Sequence, residues 1–578
     1  MKNVERVFII DGYNDEPAGL GVPPYLDVYA RYSAGAIWTY DRSIQVFYFT
    51  IDEVRKNFDF VIKKANSSQL VIVIGGMIVP GKYLGGEPIK PEEALKIGKL
   101  LTKPVKILGG PAAKYGFGLE GGKSPKRMKE LEDHYDIIVK GDLEVVTYRL
   151  LTEKLRVEAV DPYEKRKNAS EIRDYAIRGA KIALDHPNYG LNLICEIETY
   201  RGCPRFITGG CSFCAEVLHG LPDFRPIKDI VDEIEALYRV GVTHFRLGRQ
   251  PDIYSYMALG VGETEFPKLN PSAIEKLFSA IRNVAPNIKV LHIDNANPGA
   301  IAHHPEEARE ITKIIVKYHT PGDVAAFGVE SADPAVIKAN NLKAQPEEAM
   351  KAIEIVNEIG ARRGWNGLPE LLPGVNFVHG LIGETAKTYQ LNLEFMREVL
   401  ARGLLVRRIN IRQCIPLPGT RMWSVGNKII KRHKGIFKKY KEKMRREIDL
   451  PMLKKVIPTW TILREVFTEQ SDGRMTLARQ VGSYPILVSI PIKVELGNFL
   501  DVVIVDHGYR SVTGLPVPLR INKMSVETLA RIPGVGKRRA AKIAVKRPIK
   551  GAKDLDEIIG DRSLVEKICE IADFTDEG

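Results

Sequence analysis

Short apolar segments alternate with amphipathic stretches over most of the first 415 residues, and this alternation limits the possible folds more than any other feature. Within residues 1–155, the apolar segments that have the length of buried strands are Val7–Ile10, Val71–Ile74, Val105–Leu108 and Ile137–Val139. Buried strands separated by helices are typical of a parallel sheet with helices on both faces. We therefore predict an open, Rossmann-like α/β domain over residues 1–155.

Ligands bind to such sheets at the carboxyl ends of the strands. Pairs of small or acidic residues follow the predicted strands, at Gly75-Gly76, Gly109-Gly110 and Gly141-Asp142. Turns between a strand and a helix often need glycine for their backbone geometry alone. A structural role for these pairs is therefore favoured, with a ligand site as the alternative.

A second α/β series extends from about residue 190 to 415 and predicts a barrel. Its candidate strands are Leu191–Glu198, Val242–Leu247, Lys289–Ile293, Val324–Val329, Val375–Leu381 and Leu404–Arg412. Strand–helix units that follow one another in this way indicate a partial parallel (β/α)6 barrel, which we assign to residues 156–425. The active site of such a barrel lies at the carboxyl ends of its strands.

Three of the 6 cysteines lie close together, directly after the first predicted barrel strand. Cys203, Cys211 and Cys214 have the spacing C-x7-C-x2-C. Three thiolates can hold three irons of a cubane cluster and leave the fourth iron open to a ligand. The alternative is a structural zinc site, which normally has four protein ligands; Cys195 or His219 would then supply the fourth.

This loop resembles the cysteine motif of the radical SAM superfamily, whose members bind S-adenosylmethionine (SAM) at a [4Fe-4S] cluster. The usual spacing in that superfamily is C-x3-C-x2-C with an aromatic residue before the last cysteine, a position that Phe213 occupies here. The inserted stretch Arg205–Gly210 ends in glycine, so the wider first gap can bulge and return its thiolates to one cluster. The resemblance implies a [4Fe-4S] cluster on the three cysteines, SAM, and an unidentified electron donor.

Later segments resemble, in the same order, the SAM-binding loops of that superfamily. Leu247–Gln250 lies where the family holds the methionine amino group, with Gln250 in place of the usual acid, and Gly328–Ser331 resembles its GxES segment. Val378–Thr385 and Pro416–Thr420 resemble the loops after the fifth and sixth strands. Each segment alone also fits a turn or a helix cap. The residues that the resemblance implies as SAM contacts are Phe213, Gly248, Gln250, Asn295 and Glu330.

Three further polar residues lie at predicted strand ends and are candidates for binding a substrate carboxylate, namely Arg249, His379 and Arg412. Each of them fits equally well as an ordinary polar residue of the barrel rim.

The excess of basic over acidic residues is concentrated in one segment. Lysine and arginine number 85 against 72 acidic residues, a formal net charge of +13, and residues 426–450 form a basic helical segment. Phosphate groups would relieve the repulsion between its cations, whereas a solvated helix face is the alternative. Phe437 and Tyr440 lie among them and are expected to pack onto the barrel rather than to stack on bases. The expected nucleic-acid contacts are Lys431, Arg432, Lys438, Lys439, Arg445 and Arg446.

The C-terminal region contains a predicted β module and a helical hairpin. Residues 451–522 are rich in valine, isoleucine and proline and predict a small β-barrel of the TRAM or OB kind. Leu529–Ile543 resembles a helix-hairpin-helix, in which Gly534 and Gly536 let backbone amides cradle a phosphate. Lys537 and Arg538 add positive charge, so we assign residues 523–578 to a nucleic-acid-binding domain, with a purely structural hairpin as the alternative.

The complete layout resembles one branch of the superfamily. The N-terminal domain resembles the cobalamin-binding-like sheet that precedes many radical SAM domains, but the D-x-H-x-x-G segment that ligates cobalt is absent, so bound cobalamin is not expected. Together with the cysteine loop, the β module, the hairpin and the segments Asp11–Tyr13 and Leu20–Tyr25, the layout resembles RaSEA, the archaeal radical SAM family of archaeosine formation.

This second resemblance implies a lyase that acts on tRNA. Its substrate would carry a lysine-adducted 7-deazaguanine at nucleotide 15, and radical cleavage of the lysine Cε–N bond would leave archaeosine. The transglycosylase-like protein ArcS, which attaches the lysine, would be a partner.

Other functional classes are compatible with parts of the chain. A radical SAM methylthiotransferase acting on RNA needs a second three-cysteine cluster, yet residues 1–194 contain no cysteine. A cobalamin-dependent methylase would need the missing cobalt ligand. A non-enzymatic iron–sulfur protein that binds nucleic acid is also possible, but only the hairpin supports it. No apolar run has the length of a membrane span and no signal-peptide pattern begins the chain, so we expect a cytoplasmic protein without a membrane partner.

Overall fold

A computed structural model describes residues 4–13, 25–76, 84–118, 121–126 and 129–575. Residues 20–24 of the N-terminal motif lie outside these ranges. The chain forms two compact units, the first from residues 1–361, 371–441 and 482–484, the second from residues 362–370, 442–481 and 485–578. In the described part of the chain, no helix combines the length and the apolar character that crossing a membrane requires.

The N-terminal domain contains a five-stranded sheet in the order β3-β1-β4-β5-β6, and all its neighbouring strands are parallel. The elements of this region are β1 (Arg6–Gly12), β2 (Tyr25–Leu26), α1 (Val28–Tyr40), β3 (Gln45–Thr50), α2 (Ile51–Lys56), α3 (Phe58–Ala65), β4 (Leu70–Gly75), α4 (Pro91–Leu100), β5 (Val105–Gly109), α5 (Pro111–Tyr115), β6 (Ile137–Ile138) and α6 (Leu143–Thr152). The strand order is that of doubly wound, flavodoxin-like sheets, which confirms the predicted parallel α/β sheet.

Two strands of this region differ from the prediction. The edge strand β3 was not predicted, although it contains the apolar run Val46–Phe49; only two of its six side chains are buried. Strand β2 does not join the N-terminal sheet; Tyr25 and Leu26 pair in parallel with Ile194 and Cys195 of the barrel. The boundary at residue 155 therefore leaves one barrel strand on its N-terminal side.

The barrel consists of two four-stranded sheets, in the orders β2-β7-β10-β11 and β12-β13-β14-β15, and all neighbouring strands are parallel. Its elements after residue 155 are α7 (Arg173–Gly179), β7 (Ile194–Glu198), β8 (Tyr200–Arg201), β9 (Asp223–Phe224), α8 (Ile227–Arg239), β10 (His244–Gly248), α9 (Pro271–Val284), β11 (Val290–Ile293), β12 (Asn295–Ala296), α10 (Pro298–His303), α11 (Pro305–Tyr318), β13 (Asp323–Glu330), α12 (Pro334–Asn340), α13 (Pro346–Gly360), β14 (Leu371–His379), α14 (Ala386–Ala401) and β15 (Arg408–Gln413). Each predicted barrel strand overlaps an observed one.

The N-terminal domain and the barrel share a buried ionic cluster. On α1, Arg31 pairs with Glu233 of α8, and Arg225 pairs with the same carboxylate at 2.6 Å. All three side chains are fully buried, and Tyr32 also donates to Glu233 at 3.2 Å. Because a buried charge is costly unless it is paired, this cluster fixes the position of α1 against α8.

Helices follow the barrel and lead into the second unit. They are α15 (Met422–Val425), α16 (Lys428–Met444) and α17 (Leu450–Val456), and a π-helical turn, Arg445–Asp449, joins the last two.

The second unit contains a closed five-stranded barrel in the order β16-β17-β18-β20-β19, in which β18 and β20 are parallel. Its elements are β16 (Ile462–Asp472), β17 (Met475–Gln480), β18 (Leu487–Ile490), β19 (Phe499–His507), β20 (Ser511–Pro516), β21 (Leu519–Arg520), α18 (Val526–Leu529), α19 (Gly536–Lys546), α20 (Ala552–Ile559), α21 (Arg562–Cys569) and β22 (Ala572–Asp573).

Candidate functional site

A cavity of about 440 Å³ lies at the carboxyl ends of the barrel strands. Its barrel side contains residues from the cysteine loop and from the ends of β10, β12, β13, β14 and β15, namely Cys211, Phe213, Cys214, Gln250, Asn295, Glu330, Asn376, Val378 and Arg412. Its other side is formed by the N-terminal domain, with Tyr29, Pro111, Lys114 and Tyr115. The two α/β domains therefore share one site.

The three cysteines of the loop are free thiols that lie near one another. Cys214 interacts electrostatically with Cys211 and Cys203, and Lys343 interacts with all three thiols. Burial raises the pKa of the Cys203 thiol to about 11 and that of Cys214 to about 12. Thiols in such surroundings ionise when a metal displaces their protons, because the thiolate is the metal ligand.

Hydrogen bonds from the end of α12 fix the inserted part of the cysteine loop. Asn341, which has a left-handed backbone (φ +49°), donates from Nδ2 to the carbonyl oxygens of Thr208 at 2.9 Å and Gly210 at 3.1 Å. Ser212 donates from its backbone and from its hydroxyl to Asn340, at 2.9 and 2.7 Å. These hydrogen bonds hold the insertion between Cys203 and Cys211 against the barrel. They account for the proximity of the two cysteines despite the wide spacing.

An ionic network precedes the cysteine loop and ties it to the N-terminal domain. Arg201 pairs with Asp142 at 2.7 Å and with Glu198 at 3.0 Å, while Arg166 pairs with Glu144 and Glu198 at 2.5 Å each. The carboxylates are at most 5% exposed. The chain therefore enters the cysteine loop from a fixed, ion-paired segment.

Gln250 and Asn295 line neighbouring parts of the cavity, and both were predicted to contact SAM. Gln250 donates from Nε2 to the carbonyl of Leu247 at 2.8 Å, and Asn295 donates to the carbonyl of Gln250 at 3.1 Å. Among the residues that the structure describes, the buried Oε1 of Gln250 has no hydrogen-bond partner. It is an acceptor available to a ligand that brings a donor.

Gly248, the remaining predicted contact in this segment, does not line the cavity. A Cβ at this position would lie 2.2 Å from Oε1 of Glu196. Glycine therefore leaves room for the side chain of Glu196, and the SAM contact at Gly248 stays a prediction.

Glu330 ends β13 at a bulge and faces the cavity from a strained backbone, with φ +65°. Burial raises the pKa of its carboxyl to about 7, against the lowering effect of Lys343 and Arg412. Its Oε2 is buried without a hydrogen-bond partner in the described part of the chain. A strained, buried carboxylate at a cavity indicates a ligand site, because such a group persists only where the surroundings hold it.

The candidate substrate residues do not all reach the cavity. Arg249 and Arg412 line it, but His379 does not. The ring of His379 is fully buried and stacks on Tyr389 at 4.5 Å, and its Nδ1 lies 3.0 Å from Glu384. His379 therefore belongs to a polar cluster beside the cavity and does not line the cavity itself.

That cluster anchors the basic helix α16. Glu384 lies 3.1 Å from Nδ1 of His433, and Tyr440 packs edge-on against His379 at 5.0 Å. The side chains of Ile430, His433 and Tyr440 are buried, as expected for one face of the helix. Phe437 is half-buried and packs against the same histidine, so the aromatic residues of α16 pack on the barrel as expected.

The opposite face of this basic segment is exposed. Its exposed cations are Lys428, Lys431, Arg432, Lys434, Lys438, Lys439, Lys443 and Arg446, while Arg445 is half-buried. The helical hairpin of the second unit has its own basic surface. Gly534 and Gly536 have φ of +87° and +63°, and Lys537 and Arg538 are exposed at the start of α19. Both segments present cations in a form that phosphates can contact.

Several residues of the cavity were not predicted, among them Lys343, Lys114, Tyr115 and Tyr484. Lys343 follows α12 without any motif, and Lys114 and Tyr115 lie on α5, after the Gly109-Gly110 turn. Tyr484 lies in residues 482–484, which belong to the first unit; its hydroxyl donates to Asp294 and its ring lies 4.2 Å from the guanidinium of Arg408. The glycine turn after β5 was the available signal for α5.

The two candidate fourth ligands of a zinc site are placed differently, because His219 lines the cavity with Cys211 and Cys214 whereas Cys195 does not. Cys195 is buried in β7, where Arg31 and Glu233 are its charged neighbours. Within the described ranges, no three His, Cys, Asp or Glu side chains are grouped as ligands of a single metal ion. A structural zinc needs four such ligands, whereas a cubane spreads its thiolates over several irons.

Comparison with known proteins places this site in a family context. Residues 197–396 match the profile of the radical SAM superfamily. An uncharacterized protein of Methanocaldococcus jannaschii is 50% identical over 518 residues, which cover 88% of this chain and 93% of the relative. An uncharacterized protein of Archaeoglobus fulgidus is 42% identical over 565 residues, covering 97% and 98%.

Solved structures with a similar arrangement are more distant. The radical SAM methyltransferase TsrM from Kitasatospora setae, determined with cobalamin and a [4Fe-4S] cluster, has a TM-score of 0.46 and 13% identity over 72% of this chain and 77% of its own. The cobalamin-dependent radical enzyme OxsB has a TM-score of 0.44 and 13% identity over 75% of this chain and 56% of its own.

Proposed function

Since the chain belongs to the radical SAM superfamily and to the archaeal family of its Methanocaldococcus and Archaeoglobus relatives, we propose that it is a radical SAM enzyme that modifies transfer RNA. The observation that carries the proposal is the cavity itself. It combines the cysteine loop with buried, unpartnered acceptors on Gln250 and Glu330, at the end of the barrel where ligands bind.

The residues present fit a [4Fe-4S] cluster and SAM. Cys203, Cys211 and Cys214 would hold the cluster and leave one iron open, and the cation of Lys343 offsets the negative charge of the thiolates. When bound, the cluster and SAM supply a 5′-deoxyadenosyl radical, which takes a hydrogen atom from carbons that no protein base can deprotonate.

The side chains around the cavity have distinct tasks in this proposal. Gln250 Oε1 accepts from the amino group of SAM, and Glu330 Oε2 accepts from the ribose hydroxyls, because both oxygens are buried and lack another donor among the described residues. Asn295 keeps the backbone of Gln250 in place through its 3.1 Å hydrogen bond. Phe213 supplies an apolar wall beside the cysteines.

The RNA substrate is inferred from the basic helix. The buried face of α16 is anchored to His379, the last residue of β14, and Asn376 and Val378 of that strand line the cavity. The exposed cations of α16 are thus held at the same end of the barrel as the site. A nucleic acid bound through its phosphates to this helix would present a nucleotide near the cavity.

The finer proposal follows the resemblance of the layout to RaSEA. The enzyme would oxidise the lysine Cε of the lysine-adducted 7-deazaguanine in tRNA by two electrons, one leaving with the abstracted hydrogen atom and one passing to the cluster. Water would then cleave the Cε–N bond, which leaves the amidine of archaeosine and releases the lysine skeleton as an aldehyde that can close to a cyclic imine. Arg249 and Arg412, which line the cavity, are the proposed partners of the lysine carboxylate. ArcS would provide the substrate, and a separate donor would supply the electron. The small barrel and the terminal hairpin would make further contacts with tRNA. The proposal includes no cobalamin.

Anaerobic reconstitution with iron and sulfide tests the radical chemistry. We expect a [4Fe-4S] signal that changes when SAM is added, together with formation of 5′-deoxyadenosine. Cys211→Ala should abolish both, whereas Cys569→Ala, which removes a free thiol of the second unit, should leave both intact. Wild-type protein that forms neither signal nor 5′-deoxyadenosine would disprove the proposal.

Analysis of tRNA tests the substrate. Nucleosides from a deletion strain should show loss of archaeosine and accumulation of the lysine adduct; unchanged archaeosine would refute the lyase assignment. For binding, Lys438→Glu with Lys439→Glu should weaken tRNA affinity and lower the slope of its salt dependence by about 2. The matched control is Lys276→Glu with Lys313→Glu, two exposed lysines on α9 and α11.

A further inference from the structure

We propose that Arg205, in the inserted stretch of the cysteine loop, tunes the reduction potential of the cluster through a hydrogen bond to the sulfur of Cys211. This inference rests on the proposed function, because it requires a cluster on the three cysteines. It assigns a role to the residues that separate this loop from the usual C-x3-C spacing. The residues after Cys203 are then part of the redox machinery and not only a longer connection.

The geometry at Arg205 is that of a buried donor held in one position. Its Nη1 donates to Sγ of Cys211 at 3.1 Å, and its Nε donates to Glu265 at 2.6 Å. Its Nη2 donates to the backbone and side-chain oxygens of Asn341, at 2.9 and 3.1 Å. The residue is 2% exposed, so water does not compete for these hydrogen bonds.

The planar guanidinium accounts for the use of arginine here. It offers several N–H groups in a fixed plane, and one side chain can therefore satisfy Glu265, Asn341 and the sulfur at the same time. Asn341 also holds the loop at Thr208 and Gly210. The same residue thus positions both the insertion and the arginine that the insertion contributes.

The sign of the effect follows from the charge. Reduction adds one electron to a cluster that three thiolates already make anionic. A cationic N–H donor at a ligand sulfur stabilises the more negative state, which raises the reduction potential. Glu265 opposes this effect, because its carboxylate partly neutralises the guanidinium.

The test is an anaerobic redox titration of the reconstituted full chain, monitored by electron paramagnetic resonance. The variants are Arg205→Gln, Arg205→Lys and Glu265→Gln, with Ile207→Ala as a control at an exposed position of the same loop. In Arg205→Gln, we expect the ratio of reduced to oxidised cluster at a fixed potential to fall about tenfold, which equals about 59 mV for a one-electron couple. Glu265→Gln should shift the midpoint in the opposite direction, which loop disorder would not produce.

The outcomes separate this inference from the function on which it rests. If wild type holds a cluster and Arg205→Gln has the midpoint of Ile207→Ala, the tuning role is wrong and the radical SAM function stands. If wild type takes up no cluster, both are overturned. If Arg205→Gln takes up no cluster, the test rests on Arg205→Lys and Glu265→Gln. Midpoints that shift from wild type in opposite directions support the inference, and midpoints equal to that of wild type overturn it.

Discussion

Replacement of Glu330 by glutamine should stabilise the ligand-free protein, and the gain should depend on pH. The carboxyl of Glu330 is buried at the end of β13, and burial raises its pKa from 4.5 to about 7. Below pH 4.5 the group is protonated in both folded and unfolded chains, so it has no differential effect. As the pH rises to 7, the unfolded chain ionises first, and the folded protein loses stability progressively.

The size of this effect follows from the pKa shift. A rise from 4.5 to about 7, at 1.36 kcal/mol for each pKa unit, corresponds to about 3 kcal/mol against folding above pH 7. A glutamine has nearly the same shape but carries no charge. The expected gain for Glu330→Gln is therefore up to about 3 kcal/mol at pH 8 and close to zero at pH 4.5.

Urea unfolding of the ligand-free protein at pH 5 and pH 8, followed by circular dichroism, measures this difference. Glu310→Gln, which changes an exposed glutamate on α11, is the matched control and should follow wild type at both pH values. The reasoning fails if Glu330→Gln and wild type differ by the same amount at pH 5 and pH 8, or if the variant is the less stable protein at pH 8.

Glu233→Gln should lower the free energy of unfolding by about 3–5 kcal/mol, because it leaves two buried arginines beside an uncharged group; Glu235→Gln, on the same helix and partly exposed, should change it little. Lys343→Met should lower the iron retained after gel filtration severalfold, since the cation beside the three thiols is lost, whereas Lys338→Met on α12 should retain wild-type iron. Tyr484→Phe should cost about 1–3 kcal/mol in urea unfolding, because the hydroxyl that donates to a buried aspartate is removed. Unchanged stability of Glu233→Gln or Tyr484→Phe, or wild-type iron in Lys343→Met, would contradict the corresponding premise.

Periodicity was sufficient to predict the two parallel α/β regions. Apolar runs such as Val71–Ile74 fall within fully buried strands, and buried strands of this kind have a continuous hydrophobic signal. Strand β3 also contains such a run, Val46–Phe49, and was not predicted; it lies at the edge of its sheet, where only two of its six side chains are buried. Strand β2 is too short for any period to be recognised.

The site was predictable only where a local motif marks it. Cys211, Cys214, Gln250 and Glu330 lie in recognisable segments, and the structure brings them to one cavity. Lys343 reaches the same cavity from the end of a helix, where a single lysine has no distinctive pattern. His379 ends a barrel strand as predicted, yet its side chain joins a neighbouring cluster, because strand position alone does not determine which way a side chain points.

The placement of residues 482–484 in the first unit has a consequence for how the gene can be shortened. Truncation upstream of this tripeptide would remove Tyr484, whose hydroxyl donates to Asp294 and whose ring lies over Arg408. A radical SAM fragment trimmed at the end of its profile match, residue 396, would lose both Tyr484 and β15 with Arg412, and would therefore have an incomplete cavity wall. A shortened chain that keeps the cavity wall complete must therefore retain Tyr484.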